Sequence, residues 1–273
     1  MRMSDRWRLL ITPPAPGSWN MAVDEAILES AGRGDSLPTL RLYAWEPPCL
    51  SLGYAQPVTD VDFARLKERG WDVVRRPTGG RAILHTDELT YSIVGSIAHP
   101  ILAGSVLDSY GRLAQAIYHA LKSLGLPVAM KEHEVGDGSS TNPVCFEVPS
   151  TYEITVDGKK LVGSAQARRK DGVLQHGSLP LRGDLTRIIQ VLTFPKDEDR
   201  LLASKRLLER ATTVESVRGR PISWDEAAQA FLSAFSSVLG LELQEGILSP
   251  VECARAAELV DTKYGYSSWL ERG

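Results

Sequence analysis

The chain has 273 residues, a formal net charge of −3 at pH 7, 43% hydrophobic residues and 24% charged residues. This balance excludes a disordered or fibrous protein, and the net charge excludes a general nucleic-acid binder. No apolar run approaches the roughly 18 residues of a membrane span, and the first residues lack the apolar core of a signal peptide. We therefore expect a cytoplasmic protein that does not enter a membrane.

The first half of the chain predicts short strands and one long helix. Three alternating or β-branched segments, each bounded by Gly, Pro or Asp, indicate strands at 39–45, 72–76 and 89–94. A helix is predicted to begin after Ser105, because apolar residues recur at intervals of three and four from Leu107 to Leu124. Gly125 and Pro127 end it.

From Tyr152 onward the pattern changes to that of a β-meander. Residues 152–156 alternate, and Asp157-Gly158 is a strong two-residue hairpin signal. A second turn at 170–172 leads into a third strand at 173–177. These three strands and the earlier ones could share one sheet.

The C-terminal part (200–273) is predicted to be mainly helical. Ser223 and Ser249 each open a capping box that is completed by a glutamate three residues later. The helix after Ser223 is expected to turn these residues inward: Ala227, Ala230, Phe231, Ala234 and Val238. Strands followed by helices favour an α+β, or mixed α/β, fold, and we expect one domain spanning 1–273.

The three cysteines, Cys49, Cys145 and Cys253, are too few and too far apart for a disulfide framework or a zinc site. Cys49 and Cys253 are interpreted as packed thiols. Cys145 follows the loop-forming segment 136–143, where a nucleophile would be accessible, although a small buried residue is the alternative. No metal site is expected, because the histidines are scattered: His85, His99, His119, His133 and His176.

Residues 75–85 combine two arginines, a Pro-Thr-Gly-Gly turn and a histidine. Gly79 and Gly80 would let backbone N–H groups approach an anion or a thioester oxygen closely. The segment fits neither the nucleotide-phosphate nor the dinucleotide glycine pattern. A tight hairpin with solvated arginines is the alternative.

Residues 159–168 form the next candidate segment. Lys160 and Val162 are expected on one strand face, with Leu161 on the other. Lys160 could lower the pKa of a nearby thiol or hold an acyl oxygen. The small residues after it could lie against a ligand chain: Gly163, Ser164 and Ala165.

Two further residues have open interpretations. Lys159 follows the Asp-Gly turn and is interpreted as a solvated lysine. His176 could be an acid, a base or an orienting group, and a structural histidine is the alternative.

Taken together, four segments and the closing Lys263-Tyr-Gly…Trp269 resemble the lipoate-protein ligase and octanoyltransferase family over essentially the whole chain. The segments are Asn20-Met-Ala-Val-Asp-Glu25, residues 75–85, residues 158–166 and residues 174–179. The resemblance implies a biotin/lipoate protein ligase-like catalytic domain, with mixed β-sheets flanked by helices. It implies that residues of the 75–85 segment, among them Arg76 and His85, cradle the carboxyl end of an acyl group and that Lys160 contacts the reacting carbonyl.

Within that family, Arg81 and Cys145 resemble the Gram-positive type of octanoyltransferase, which works through an acyl-cysteine without a nucleotide. The resemblance implies catalytic Cys145 and Lys160, no cofactor, octanoyl-acyl carrier protein as donor, and the glycine cleavage H protein or a lipoyl domain as acceptor. A monomer is expected. Ile83 and the 163–165 stretch are expected to line an octanoyl tunnel.

Three other functions stay open. The chain could be an ATP-dependent lipoate ligase, or an amidotransferase that takes its acyl group from octanoylated H protein. It could also be a non-catalytic acyl-binding or carrier-binding module, in which Cys145 and Lys160 would lie too far apart to cooperate. An acidic carrier would favour a basic patch, for which the candidates are Arg75, Arg76, Arg81, Arg168, Arg169 and Lys170.

Overall fold

The structure, a computed structural model, describes residues 6–132 and 152–272. Cys145, His133 and the loop 136–143 lie outside the described residues, and what the sequence predicts for them stays a prediction. The described strands are β1 (Arg6–Ile11), β2 (Thr39–Tyr43), β3 (Cys49–Leu52), β4 (Asp72–Arg75), β5 (Ile83–His85), β6 (Glu88–Ser96), β7 (Ala129–Glu132), β8 (Tyr152–Val156), β9 (Lys159–Lys160), β10 (Gly163–Arg168), β11 (Gly172–Pro180) and β12 (Glu242–Glu245). The α-helices are α1 (Gly17–Arg33), α2 (Phe63–Glu68), α3 (Val106–Ser123), α4 (Asp197–Arg210), α5 (Val214–Arg218), α6 (Trp224–Leu239), α7 (Pro250–Leu259) and α8 (Ser267–Leu270).

The largest sheet has six strands in the order β10-β11-β6-β2-β1-β12. β1 runs parallel to β2 and β12, whereas the other neighbours are antiparallel. α1 and α7 pack on one face, and α3 and α6 pack on the other. Consecutive strand residues therefore enter different cores: Ile93 packs with α3 and α6, and Val94 packs with α1. Because both faces are covered, nearly every residue of β2, β6 and β11 is buried, including polar ones such as Arg41 and Ser92.

The second sheet, in the order β4-β3-β5, corrects the predicted hairpin at 75–85. β4 pairs in parallel with β3, and β5 pairs antiparallel with the other edge of β3. The turn between them therefore crosses the end of β3 instead of joining two neighbouring strands. The crossing is tight, because a Cβ on Gly53 would lie 1.9 Å from the carbonyl oxygen of Gly80.

The predicted three-stranded meander is wrong, because its middle strand is divided between two sheets. β8 and β9 form a hairpin with β7, and Asp157 and Gly158 turn it with positive φ angles of 49° and 78°. After β9 the chain passes into β10 of the large sheet through Leu161 and Val162, which are buried in its core. Lys160, Leu161 and Val162 are all buried. The predicted alternation, with Lys160 and Val162 on one strand face and Leu161 on the other, is therefore not observed.

The helix boundaries agree with the sequence patterns. The capping boxes of Ser105 and Ser249 are formed with both of their hydrogen bonds. Ser223 caps α6 by accepting from the Glu226 N–H, whereas the Glu226 carboxylate pairs with Arg218 at 2.9 Å.

The predicted inner face of α6 is partly wrong, because Val238 is 37% exposed while Phe235 is buried. The C-terminal part also supplies a strand, β12, to the large sheet. The α+β class predicted from the sequence is confirmed. None of the helices in the described ranges combines the length and apolar character that a membrane span requires.

Candidate active site

A small, mostly apolar cavity lies where β10 and β11 of the large sheet face β3 and β5 of the second sheet. Its aromatic and aliphatic wall includes Met21, Trp45 and Ile83. Six residues predicted from the sequence as substrate-binding also line it: Arg76, His85, Gly163, Ser164, Ala165 and His176. Apolar walls with a few convergent polar groups are typical of small-molecule sites.

Arg76 follows β4 and is almost completely buried, which gives the cavity a fixed positive charge. One nitrogen of its guanidinium donates to the Ser51 carbonyl at 3.0 Å and to the Ser51 hydroxyl at 3.2 Å. The other donates to the carbonyls of Gly79 at 2.9 Å and Arg81 at 2.7 Å. Arg76 therefore holds the glycine turn and is not solvated, so the alternative of a hairpin with solvated arginines is wrong for this residue.

His85 ends β5 and is fixed from three sides. Its Nδ1 lies 2.6 Å from Glu88 Oε1, its Nε2 lies 2.8 Å from Ser51 Oγ, and its ring stacks on Trp45 at 3.9 Å. Nδ1 of His85 therefore faces the Glu88 carboxylate, and Nε2 faces the Ser51 hydroxyl, which also accepts from Arg76.

Glu88 is a buried acceptor for three donors. The hydroxyls of Thr90 and Ser178 donate to it at 2.5 and 2.6 Å, in addition to His85. Burial raises the pKa of Glu88, but the interactions with His85, Ser178 and Thr90 together outweigh burial and hold that pKa below its ordinary value. Glu88 is therefore an ionised carboxylate next to the cavity.

His176 on β11 carries the second buried imidazole. Its Nε2 lies 2.6 Å from Thr78 Oγ1, and its Nδ1 lies 3.7 Å from Asp24 Oδ2. Burial lowers the pKa of His176, and Arg76 and His85 lower it further, while Asp24 opposes the shift. The imidazole is therefore neutral near pH 7, with its proton on Nδ1 toward Asp24 and Nε2 accepting from Thr78.

Asp24 on α1 anchors this network and was missed as a site residue from the sequence. It accepts hydrogen bonds from Arg41 at 2.8 Å, Ser92 at 2.8 Å and Tyr43 at 3.0 Å, and both charged side chains are completely buried. Burial raises the pKa of Asp24, but Arg41 and His176 lower it below its ordinary value. The available signal was the spacing of Asn20 and Asp24, because Asn20 Oδ1 accepts from the same Arg41 at 2.7 Å.

A second hydroxyl pair borders the small-residue stretch of β10. The phenol of Tyr91 and the hydroxyl of Ser164 lie 2.6 Å apart. Burial raises the pKa of Tyr91 to about 12, although the hydrogen bonds from Ser164 and Gln175 oppose it. The phenol therefore keeps its proton and can donate to Ser164 at the cavity wall.

Lys160 ends β9 and does not belong to the described residues that line the cavity. It is 3% exposed, and its Nζ lies 3.5 Å from Glu153 Oε1. Its carbonyl accepts from the Thr212 N–H at 3.0 Å. The neighbouring Lys159 is half-buried, and its Nζ donates to the Leu208 carbonyl at 2.6 Å. The predicted cooperation of Lys160 with Cys145 stays a prediction.

Gly79 and Gly80 line a separate, more open groove of about 520 Å³ beside the cavity. Arg81, Arg168 and Arg169, which were predicted to form a basic patch, line the same groove. The groove and the cavity share the segment that begins at Arg76 and the strand β10, so they adjoin along two pieces of chain.

Arg75 is fully buried, and its predicted place in an exposed basic patch is wrong. Its guanidinium donates to the carbonyls of Gly53 at 2.8 Å, Gln56 at 2.6 Å and Leu270 at 2.7 Å. Trp269 Nε1 in turn donates to the Arg75 carbonyl at 2.8 Å. The C-terminal helix α8 is therefore joined directly to β4. The prediction that Arg76 belongs to the exposed patch is also wrong, because Arg76 is buried as well.

Of the two cysteines in the described ranges, Cys49 is fully buried on β3 and Cys253 is half-buried on α7. Burial raises the pKa of the Cys49 thiol well above its ordinary value, and the charges of Asp72 and Glu88 add to the shift. The interpretation of Cys49 as a packed thiol is confirmed. No group of three His, Cys, Asp or Glu side chains suited to a metal ion occurs within 6–132 and 152–272.

The fold and the cavity together define a lipoate-ligase-like catalytic domain. The family described as the lipoyl protein ligase A/B catalytic domain matches residues 16–236. Because this match covers most of the chain, the chain belongs to the lipoyl protein ligase A/B catalytic-domain family.

Individual relatives narrow the comparison from the family to octanoyltransferases. The chain is similar to octanoyltransferase LipM of Symbiobacterium thermophilum, with 40% identity over 99% of this chain and 100% of that protein. It is 41% identical to octanoyltransferase LipM of Kyrpidia tusciae, over 97% of this chain and 98% of that protein. The prediction of an acyltransferase of the octanoyl-transferring kind is confirmed by this similarity.

Solved structures support the same fold. The bipartite lipoate protein ligase of Thermoplasma acidophilum, described with its E2 lipoyl domain, has a TM-score of 0.81 and 28% identity, covering 98% of this chain and 97% of that chain. A lipoate-protein ligase A bound with ATP has a TM-score of 0.80 and 28% identity, covering 98% of this chain and 99% of that chain. The expected biotin/lipoate protein ligase-like fold is confirmed by these superpositions.

Proposed function

We propose that this protein transfers an octanoyl group from octanoyl-acyl carrier protein to a lysine of a lipoyl-accepting protein, through a thioester on Cys145. The similarity to octanoyltransferases over the full chain is the observation that carries this proposal. The cavity supports it, because its apolar wall suits a short aliphatic chain and its polar groups suit an acyl carbonyl.

The first half-reaction exchanges one thioester for another. The Cys145 thiolate attacks the carbonyl carbon of the donor, a new C–S bond forms, and the bond to the carrier sulfur breaks. The carrier thiolate leaves and takes up a proton. Because a thioester is both consumed and formed, the step needs no nucleotide and no other cofactor.

The second half-reaction forms an amide. The unprotonated ε-amine of the acceptor lysine attacks the acyl-cysteine, a C–N bond forms, the C–S bond breaks, and the amine proton returns to Cys145. In this proposal Lys160 favours the Cys145 thiolate, and backbone N–H groups near Gly79 and Gly80 stabilise the tetrahedral oxyanion.

The acceptor is a lipoyl domain or the glycine cleavage H protein. In support, the similar ligase of Thermoplasma acidophilum is described with its E2 lipoyl domain. A lysine presented on a small folded domain requires an acyl-enzyme that is open to a protein partner, and the groove beside the cavity is open to solvent.

The test is to incubate the full chain with octanoyl-carrier protein without ATP and to measure intact mass. One octanoyl adduct is expected, and peptide mapping should place it on Cys145. Cys145→Ala should remove the adduct, whereas the matched variants Cys49→Ala and Cys253→Ala should keep it. Normal transfer to a lipoyl domain by Cys145→Ala would refute the acyl-cysteine mechanism.

An ATP-dependent ligase is the second candidate, and the TM-score of 0.80 to a lipoate-protein ligase A bound with ATP favours it. It predicts that free octanoate or lipoate is attached to the acceptor only with ATP, and that this attachment survives Cys145→Ala. Supplying octanoylated H protein as the sole donor tests the third candidate, an amidotransferase, in the same assay.

A further inference from the structure

The groove beside the cavity continues along the same two pieces of chain. On β10, Gly163 and Ala165 line the cavity, and the following Ala167 and Arg168 line the groove. On the other side the cavity is lined by Arg76, and the groove by the turn that follows it. A long substrate whose reactive end occupies the cavity would therefore extend through the groove.

The groove is strongly basic. Arg81, Arg168 and Arg169 line it, and none of its described lining residues is an aspartate or a glutamate. A fourth cation lies at its border, because the Arg272 guanidinium is 5.0 Å from the ring of Tyr54, which also lines the groove. Clustered arginines in an open concave surface attract phosphate groups and acidic proteins.

The side chain of Arg168 is fixed by hydrogen bonds to its neighbours. Its guanidinium donates to the Ser109 hydroxyl at 2.8 Å, the Leu102 carbonyl at 2.8 Å and the Gln166 side-chain oxygen at 3.1 Å. These bonds fix the guanidinium, and its positive charge also interacts with the carboxylate of Asp108. Arg169, the next residue, is exposed. Arg168 and Arg169 therefore place two positive charges at consecutive positions of the groove lining, and arginine is a preferred partner of phosphate groups.

We propose that this groove binds the phosphodiester of the prosthetic arm of the donor carrier protein, with the acidic surface of that carrier next to Arg169. This inference rests on the proposed function and identifies where its donor docks. The arm joins a thioester at one end to a phosphate at the other, which matches a reaction cavity that adjoins a basic groove. The space beside the glycine turn is open, because a Cβ built on Gly79 would meet no atom within 4 Å.

The experiment compares three octanoyl thioester donors that differ in phosphate and protein. Octanoyl-pantetheine has no phosphate, octanoyl-4′-phosphopantetheine has the phosphate alone, and octanoyl-carrier protein has both. For Arg169→Ala and Arg81→Ala, we expect KM to rise about tenfold with the two phosphate-bearing donors and to stay unchanged with octanoyl-pantetheine. Arg169→Glu should raise KM further with the carrier protein, and added salt should do the same for the wild type.

Arg220→Ala is the matched control, because Arg220 is exposed but lies outside the groove lining. Equal KM changes with all three donors, or none with the carrier protein, would overturn the groove proposal while leaving octanoyl transfer intact. Absence of transfer from every thioester would instead contradict the proposed function. If Arg169→Ala weakens ATP binding and leaves the thioester kinetics unchanged, the groove would be assigned to a nucleoside triphosphate. That result would also overturn the proposal.

Discussion

His85 Nδ1 lies 2.6 Å from Glu88 Oε1 at the wall of a cavity in which both side chains are almost completely buried. The carboxylate orients the imidazole, and the imidazole orients the hydroxyl of Ser51. Arg76, which also binds Ser51, is thereby connected to an ionised carboxylate through the Ser51 hydroxyl and the His85 imidazole. The positive charge of Arg76 is therefore held at the cavity, and the Glu88 carboxylate is linked to it only by way of His85 and Ser51.

Changing Glu88→Gln should lower both the rate of octanoyl transfer and the stability of the fold. The amide keeps the size of the side chain but cannot accept from both His85 and Ser178, so the His85 ring is held less firmly. We expect kcat/KM with octanoyl-pantetheine to fall about tenfold and the free energy of unfolding to fall by about 1–2 kcal/mol. Glu68→Gln, at an exposed position on α2, is the control. An unchanged kcat/KM would show that Glu88 has only a structural role.

Changing Asp24→Asn should lower the free energy of unfolding by about 3 kcal/mol or more, because it leaves the buried Arg41 charge without its carboxylate. Urea unfolding measures this loss. Asp35→Asn removes the partner of Arg33 in an exposed pair and should cost less than about 1 kcal/mol. If Asp24→Asn does not fold, Tyr43→Phe removes a single bond to the same carboxylate and should cost about 1 kcal/mol. Equal losses for Asp24→Asn and Asp35→Asn would contradict the buried-network account.

The imidazole of His176 should titrate below the ordinary histidine value of 6.5, because burial lowers its pKa. Its folded pKa is depressed, so its contribution to stability is complete above the ordinary value and is lost as pH falls through the folded pKa. NMR titration of the histidine ring protons measures this value, and His176→Gln assigns the signal. Titration of that signal at or above 6.5 would mean that Asp24 dominates over burial.

Trp269→Phe should reduce the free energy of unfolding by about 1 kcal/mol, since it removes the hydrogen bond to the Arg75 carbonyl but keeps an aromatic ring. Trp269→Ala should cost more, because Lys263 and Tyr264 also contact this ring. Chemical denaturation of both variants measures the two losses. A larger loss for phenylalanine than for alanine would rule out this packing account.

Local patterns in the sequence were sufficient for the elements that depend on neighbouring residues. The Ser249 capping box and the Asp157-Gly158 turn are each determined within four residues, and both are confirmed. The partner of β5 was missed, because β3 lies more than 30 residues earlier and no local signal distinguishes it from β4. The break of the meander was missed for the same reason, since only the core of another sheet explains why Leu161 leaves the strand.

The candidate site divides in the same way. Arg76 and His85 flank a glycine-containing turn, and both were predicted as substrate-binding residues. They lie together at the cavity. Asp24 and Arg41 come from a helix and a strand that look apolar, and their ion pair depends on the packing of α1 against the sheet. A sequence shows that a residue is charged, but it shows neither the burial of that charge nor its partner.

The bonds from Arg75 to Leu270 and from Trp269 to Arg75 also bear on how the protein is made. Residues 75 and 270 are separated by most of the chain, so during synthesis the strand beside the cavity is translated long before the carbonyl that completes the hydrogen bonding of its arginine. Until residue 270 leaves the ribosome, the Arg75 guanidinium has the carbonyls of Gly53 and Gln56 as acceptors but lacks that of Leu270. β4, which leads into Arg76 at the cavity, therefore reaches its final hydrogen bonding only after translation of the C-terminal helix.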